Sequence, residues 1–113
     1  MGGQGLELLK GTLDILILRA LEPGPNHGYG IAKWLREESS QAFQVEEGAL
    51  YPALRRMEKR GLLDAEWEVT ETGREAKFYA LTLAGTRELE SARDGWERYV
   101  AAMARVLGPV GRT

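Results

Sequence analysis

The 113-residue sequence has no cysteine and a single histidine, His27. Without cysteine there is no disulfide framework and no thiolate metal site, which suits a reducing compartment. One histidine is too few for a multi-ligand metal cage and leaves little acid–base chemistry. Long apolar runs are missing as well. The run Ile15 to Leu18 falls far short of the roughly 20 residues a membrane span requires. The start of the chain has no basic-then-apolar signal pattern, so a soluble, cytoplasmic protein is expected. No nucleophile with a paired base, phosphate loop or cofactor fingerprint is present, so neither catalysis nor a cofactor is expected. Positive charge is not in excess either: 15 Lys and Arg stand against 17 Asp and Glu, a net charge of -2.

The distribution of charge counts for more than its sum. Arg55, Arg56, Lys59 and Arg60 crowd into six positions with only Glu58 opposing them. Carboxylates gather elsewhere, at Glu37 and Glu38, at Asp64, Glu66 and Glu68, and along the final third. Distant charges are screened beyond about 10 Å at ~0.1 M salt, so a local basic patch can steer toward phosphates on an acidic body.

Punctuation and periodicity give the architecture. Leu13 to Leu21 is apolar almost all round, broken by Asp14 and Arg19, with Thr12 placed to cap its start. A helix with no polar face is covered on two sides, and in so small a body one side is expected to meet a second subunit. The run Glu22, Pro23, Gly24, Pro25, Asn26 ends it. Ile31, Trp34 and Leu35 space a short second helix, and Leu50, Leu54, Met57 and Leu62 a third that begins around Glu47 to Ala49 and stops at Gly61. From Leu63 to Val69 the period becomes two, as in a strand with one buried face. Thr70 to Glu75 is a polar turn, and Phe78 to Leu83 a second strand with Tyr79, Leu81 and Leu83 on one side, giving a hairpin. Trp34 and Trp67 lie on apolar faces and are expected in the core. Thr82 is placed to cap a last helix running to about Leu107. In it Leu89, Ala92, Trp96, Tyr99, Met103 and Val106 follow the seam spacing of a coiled coil, and Val100 and Leu107 widen the stripe. That helix would be about 36 Å long, more than the body can cover. The expected class is α+β, mainly α: a winged helix-turn-helix in residues 1–83, followed by a dimerisation helix and tail in residues 84–113. In such folds the third helix enters the major groove and the hairpin, or wing, lies on the phosphate backbone.

Leu9-Lys10-Gly11-Thr12-Leu13, His27-Gly28-Tyr29-Gly30-Ile31, the run Val45 to Leu54, Glu58 with Gly61-Leu62, and Arg74 with Lys77-Phe78-Tyr79 and Leu81-Thr82 together make the chain resemble the PadR family of transcriptional regulators. The resemblance spans residues 9–85, and the last helix matches the short members in kind. Ala49 stands where the family commonly has Ser or Thr, so no hydroxyl is available there for a phosphate. The resemblance implies a homodimer, usually a repressor, whose first and last helices interlock with those of its partner. It also implies release from DNA by a small molecule, often aromatic, or by another signal.

Candidate DNA contacts are Gln44, Tyr51, Pro52, Arg55, Arg56 and Lys59 on or beside the third helix. Arginine can pair with a guanine edge, and lysine suits a phosphate. Glu46 and Glu47 either favour the positive end of the helix dipole or accept from a cytosine amino group. Tyr29 either reaches a phosphate or packs in the core, and His27 caps locally. Arg74 and Lys77 either contact phosphate or pair with Glu71 and Glu75. Dimerisation is expected through Leu9, Leu13, Leu16, Leu89, Trp96, Val100, Met103 and Leu107. Trp96 with Ala92, Tyr99 and Met103 either sandwiches a flat aromatic effector or only packs the seam. A winged helix serving as a protein-interaction module is the rival reading, and its mark would be loss of the basic residues retained here.

Overall fold

A computed structural model describes residues 11–108. In chain order the elements are α1 (Thr12–Ala20), β1 (Asn26–His27), α2 (Gly28–Glu38), α3 (Glu47–Lys59), β2 (Leu63–Val69), β3 (Glu75–Leu81) and α4 (Leu83–Leu107). The apolar spacing of each helix meets in one core: Ile17 and Leu18 from α1 and Leu21 just after it, Ile31 and Leu35 from α2, Leu50, Leu54 and Met57 from α3, closed by Leu63, Tyr79 and Leu89. Among the described residues no buried polar or charged residue interrupts it, and no helix is long and apolar enough to cross a membrane.

Helix α3 ends as Gly61 directs. Leu62 N–H donates to Met57 O and Gly61 N–H to Glu58 O, the paired bonds of a Schellman cap. Thr82 caps α4 by accepting from Gly85 N–H at 3.0 Å, and its hydroxyl donates to Gly61 O at 2.7 Å. One side chain thus joins the end of α3 to the start of α4. Thr82→Ala removes both bonds and is expected to cost about 1–2 kcal/mol, read as a lower urea midpoint with an unchanged m-value.

Four sequence expectations need correction. Thr12 is the first residue of α1, not its cap; Gly11 holds that place, at φ 87°. The hairpin's second strand starts earlier than Phe78 and stops at Leu81, so Leu83 opens α4 and is exposed. A third strand, β1, pairs antiparallel with β3 through Asn26 opposite Tyr79 and His27 opposite Phe78, giving the order β1-β3-β2. Trp67 is not core: it is 67% exposed, and Val69 is 65% exposed. The face formed by Leu63, Ala65, Trp67 and Val69 opposite Leu81, Tyr79, Lys77 and Glu75 is continuous. Its inner end alone rests on the body, and the outer half projects as a wing.

Candidate nucleic-acid interface

A helix turns about 100° per residue, so the core positions of α3, Leu50, Ala53, Leu54 and Met57, fix what the opposite side presents. That side carries Gly48, Pro52, Arg55 and Lys59, all exposed, with Gln44 exposed in the loop before it. Pro52 is the sixth residue of the helix, past the first-turn donors that have no partner anyway, so its missing N–H leaves the carbonyl of exposed Gly48 to solvent. Among the described residues Arg55, Lys59 and Arg74 enter no ion pair. The outward ridge of α3 therefore offers guanidinium and ammonium donors with no internal acceptor.

The two flanks of α3 are tied down. On one, Arg56 Nη2 donates to Asp14 Oδ1 of α1 at 2.7 Å. On the other, Glu58 Oε1 receives Lys77 Nζ of β3 at 3.1 Å, and that ammonium also lies 5.6 Å from the Tyr79 ring centroid. Exposed pairs of this kind contribute about 0–1 kcal/mol each to stability. Arg56 and Lys77 thus differ from Arg55 and Lys59, since each already gives a donor to a carboxylate of its own chain.

Tyr51 turns toward α2. A β-carbon on Gly28 would stand 2.5 Å from its ring, so only glycine lets the ring close over the first turn of α2. Burial, then the negative charge of Glu47 and the neighbouring Tyr79, pushes the Tyr51 phenol above the usual tyrosine range. His27 caps α2, its Nδ1 accepting from Gly30 N–H at 3.1 Å. Beside it Tyr29 is 66% exposed and stacked on the imidazole at 6.4 Å, which removes its core reading. Trp34 is half-buried with the Arg19 guanidinium 5.0 Å from its ring centroid. Arg74 stands in the wing turn, where Thr70 N–H donates to Arg74 O.

Helices α1 and α4 flank an open groove of about 380 Å³ lined by Gly11, Thr12, Ile15, Ala92, Gly95, Trp96 and Tyr99. The Trp96 and Tyr99 rings stack at 5.8 Å. Met103, grouped with them from the sequence, is not in the lining. Trp96, Tyr99, Val100, Met103, Val106 and Leu107 are exposed along α4, and Leu13 and Leu16 are half-buried on α1. Leu89, expected on the same seam, is 1% exposed in the protomer's own core, which leaves it no surface for a partner. Leu9 lies outside the described residues. At the other end of α1, Glu22 receives Arg93 of α4 at 3.1 Å and Arg19 at 3.5 Å. The sequence reading missed Asp14 and Glu22 as partners. Its available signal was Asp14 itself, the one carboxylate in a mostly apolar helix.

The family described as "Transcriptional regulator PadR-like family" matches residues 17–91. A transcriptional regulator of Mycobacterium tuberculosis is 40% identical over 109 residues, covering 95% of this chain and 94% of its own. The crystal structure of a PadR family transcription regulator from Clostridium difficile superposes with a TM-score of 0.77 at 35% identity, covering 87% of this chain and 100% of that one. Bacillus subtilis PadR, in complex with operator DNA, superposes with a TM-score of 0.64 at 30% identity, over 71% of this chain and 45% of its own.

Proposed function

The chain belongs to the PadR-like family of transcriptional regulators, and on that basis we propose that it binds a palindromic operator as a homodimer, acting in the cytoplasm as a repressor. Residues 1–83 form the reading unit and residues 84–113 the dimerisation arm and tail. The observation that carries the reading is the outward ridge of α3, where exposed Arg55 and Lys59 have no internal ion pair. The similarity to a regulator seen with operator DNA supports DNA as the partner. Arg55 reads a guanine edge, Lys59 and Arg74 take phosphates, Gln44, Pro52 and the Tyr51 hydroxyl lie along the groove, and Tyr29 reaches the backbone at the start of α2. Arg56 and Lys77 are set apart from these contacts by their ion pairs with Asp14 and Glu58.

The exposed apolar stripe of α4 supports dimerisation. Trp96, Val100, Met103 and Leu107 with Leu13 and Leu16 are the surface that a second copy would cover, since contiguous apolar surface of this kind marks an interface. The two third helices would then stand about one helical turn of DNA apart. A flat aromatic effector fits between the Trp96 and Tyr99 rings and Ala92, in a groove of ordinary ligand size, and its binding would shift that spacing and release the operator.

The test is a titration of the purified chain with the tightest duplex recovered from a randomised pool, over a series of salt concentrations. Expected is specific binding of two chains per duplex with steep loss of affinity as salt rises. Absent or salt-insensitive binding by a stable dimer would favour the protein-interaction module instead.

A further inference from the structure

We propose that Arg56 is a positioning residue: its ion pair with Asp14 fixes how the α3 reading helix sits on α1, and its guanidinium does not contact DNA. The inference rests on the DNA-binding reading above and adds a role that separates Arg56 from its neighbour Arg55. On α3, Arg56 lies to one side of the outward ridge of Gly48, Pro52, Arg55 and Lys59. Its Nη2 is 2.7 Å from Asp14 Oδ1, a charge-assisted hydrogen bond at short distance. Asp14 is the acidic residue in the first turn of α1, between Thr12 and Ile15, which both line the groove against α4. The other end of α1 is held to α4 through Glu22 and Arg93. Helix α1 is thus tied at one end to α3 and at the other to the arm that carries Trp96. The opposite flank of α3 is held in the same manner, by Glu58 and Lys77.

With the buried face seated by Leu50, Ala53, Leu54 and Met57, the ion pairs on the two opposite flanks oppose a small roll of α3 about its axis in either direction. A roll of one residue's worth, about 100°, would exchange one outward side chain for another; a few degrees already misaligns a planar bidentate contact. An exposed pair adds little to stability, so what this one contributes is the relative placement of the two helices it joins. The same route makes the groove and the reading ridge communicate, because a ligand that displaces Thr12 or Ile15 displaces Asp14 with them.

Generic electrostatics gives the opposite expectation, and this makes the test sharp. Removing a carboxylate near DNA ordinarily strengthens binding, whereas loss of a positioning carboxylate weakens it. The duplex from the randomised pool is titrated at several salt concentrations with the wild-type chain, Asp14→Asn, Arg56→Gln and the double variant, after circular dichroism and light scattering confirm fold and dimer. A surface pair's coupling corresponds to about threefold per reading head and so to about tenfold per dimer. Expected is that each single variant binds about tenfold more weakly with an unchanged salt slope. The double variant should be no weaker than either, and the reversed pair, Asp14→Arg with Arg56→Asp, should recover most of the loss. The inference is overturned if Asp14→Asn binds as well as or better than wild type. It is also overturned if Arg56→Gln lowers the salt slope by about 0.9 per subunit, the mark of a lost phosphate contact. A wild-type chain that selects no duplex shows itself in the first titration and refutes the DNA-binding reading, and this inference with it.

Discussion

Replacing Arg55 with alanine is expected to lower affinity for the selected duplex at least tenfold and to erase base preference at one position in each half-site. The position follows from helix geometry, since Arg55 lies opposite the buried Leu50, Leu54 and Met57 and has no carboxylate partner among the described residues. A guanidinium offers a planar fork of donors that matches the two acceptors on the guanine edge. Such a contact discriminates by about 1–3 kcal/mol, and each is counted twice in a symmetric dimer. Lys59→Ala supplies the contrast. A point charge on a phosphate carries no sequence information, so its loss should weaken all duplexes alike and flatten the salt dependence. Repeating the selection with each variant separates the two. If Arg55→Ala kept the same consensus, Arg55 would be a backbone contact and the reading residue would have to be sought at Gln44 or Pro52.

The second large effect concerns folding. At Gly85 a β-carbon would stand 2.1 Å from Leu62 O, a backbone atom fixed by its place between the α3 cap and β2. The carbonyl cannot step aside, because it already accepts from Thr82 N–H at 3.1 Å. Gly85→Ala must therefore move α4 away from the corner where Leu89 enters the core. Overpacking and loss of that seat together are expected to cost about 2–4 kcal/mol, a fall in thermal midpoint of roughly 10 °C or more, compared at equal chain concentration. Gly48→Ala is the control: nothing lies within 4 Å of its β-carbon, and in a helix alanine is the better former by up to about 1 kcal/mol. Equal midpoints for the two variants would refute the close-approach argument.

Much of this was legible in the sequence because it is local. The seven-residue strand Leu63–Val69 could be read from strict alternation, the end of α3 from Gly61, the cap of α4 from Thr82, and the outward ridge of α3 from apolar spacing. The errors also share a cause. Alternation at Trp67 and Val69 reports which residues share a face, but not how far the body extends beneath it. Strand β1 is two residues long, too short to carry any period, and it exists because β3 offers an open edge. Leu83 continues the apolar face of the strand in sequence, yet Thr82 has already turned the chain into a helix. The candidate site divides in the same manner. Arg55 and Arg56 are neighbours of equal chemistry, and they part company only because Asp14, 42 residues away, faces one of them.

In α4 the buried residues are Gly85 and Leu89, both in its first two turns, while Ala101, Ala102, Met103, Arg105, Val106 and Leu107 are all exposed. Amide protons near Leu89 are held by the core of their own protomer. Those from Ala101 onward have no such cover, and short solvated helix ends fray at almost no free-energy cost. With the dimer proposed above, hydrogen exchange along a single helix should divide into two regimes: a proximal stretch whose protection does not depend on dilution, and a distal stretch that is slow in concentrated solution and fast when the chains are far apart. The far end of α4 would then serve as a gauge of how many chains have found each other.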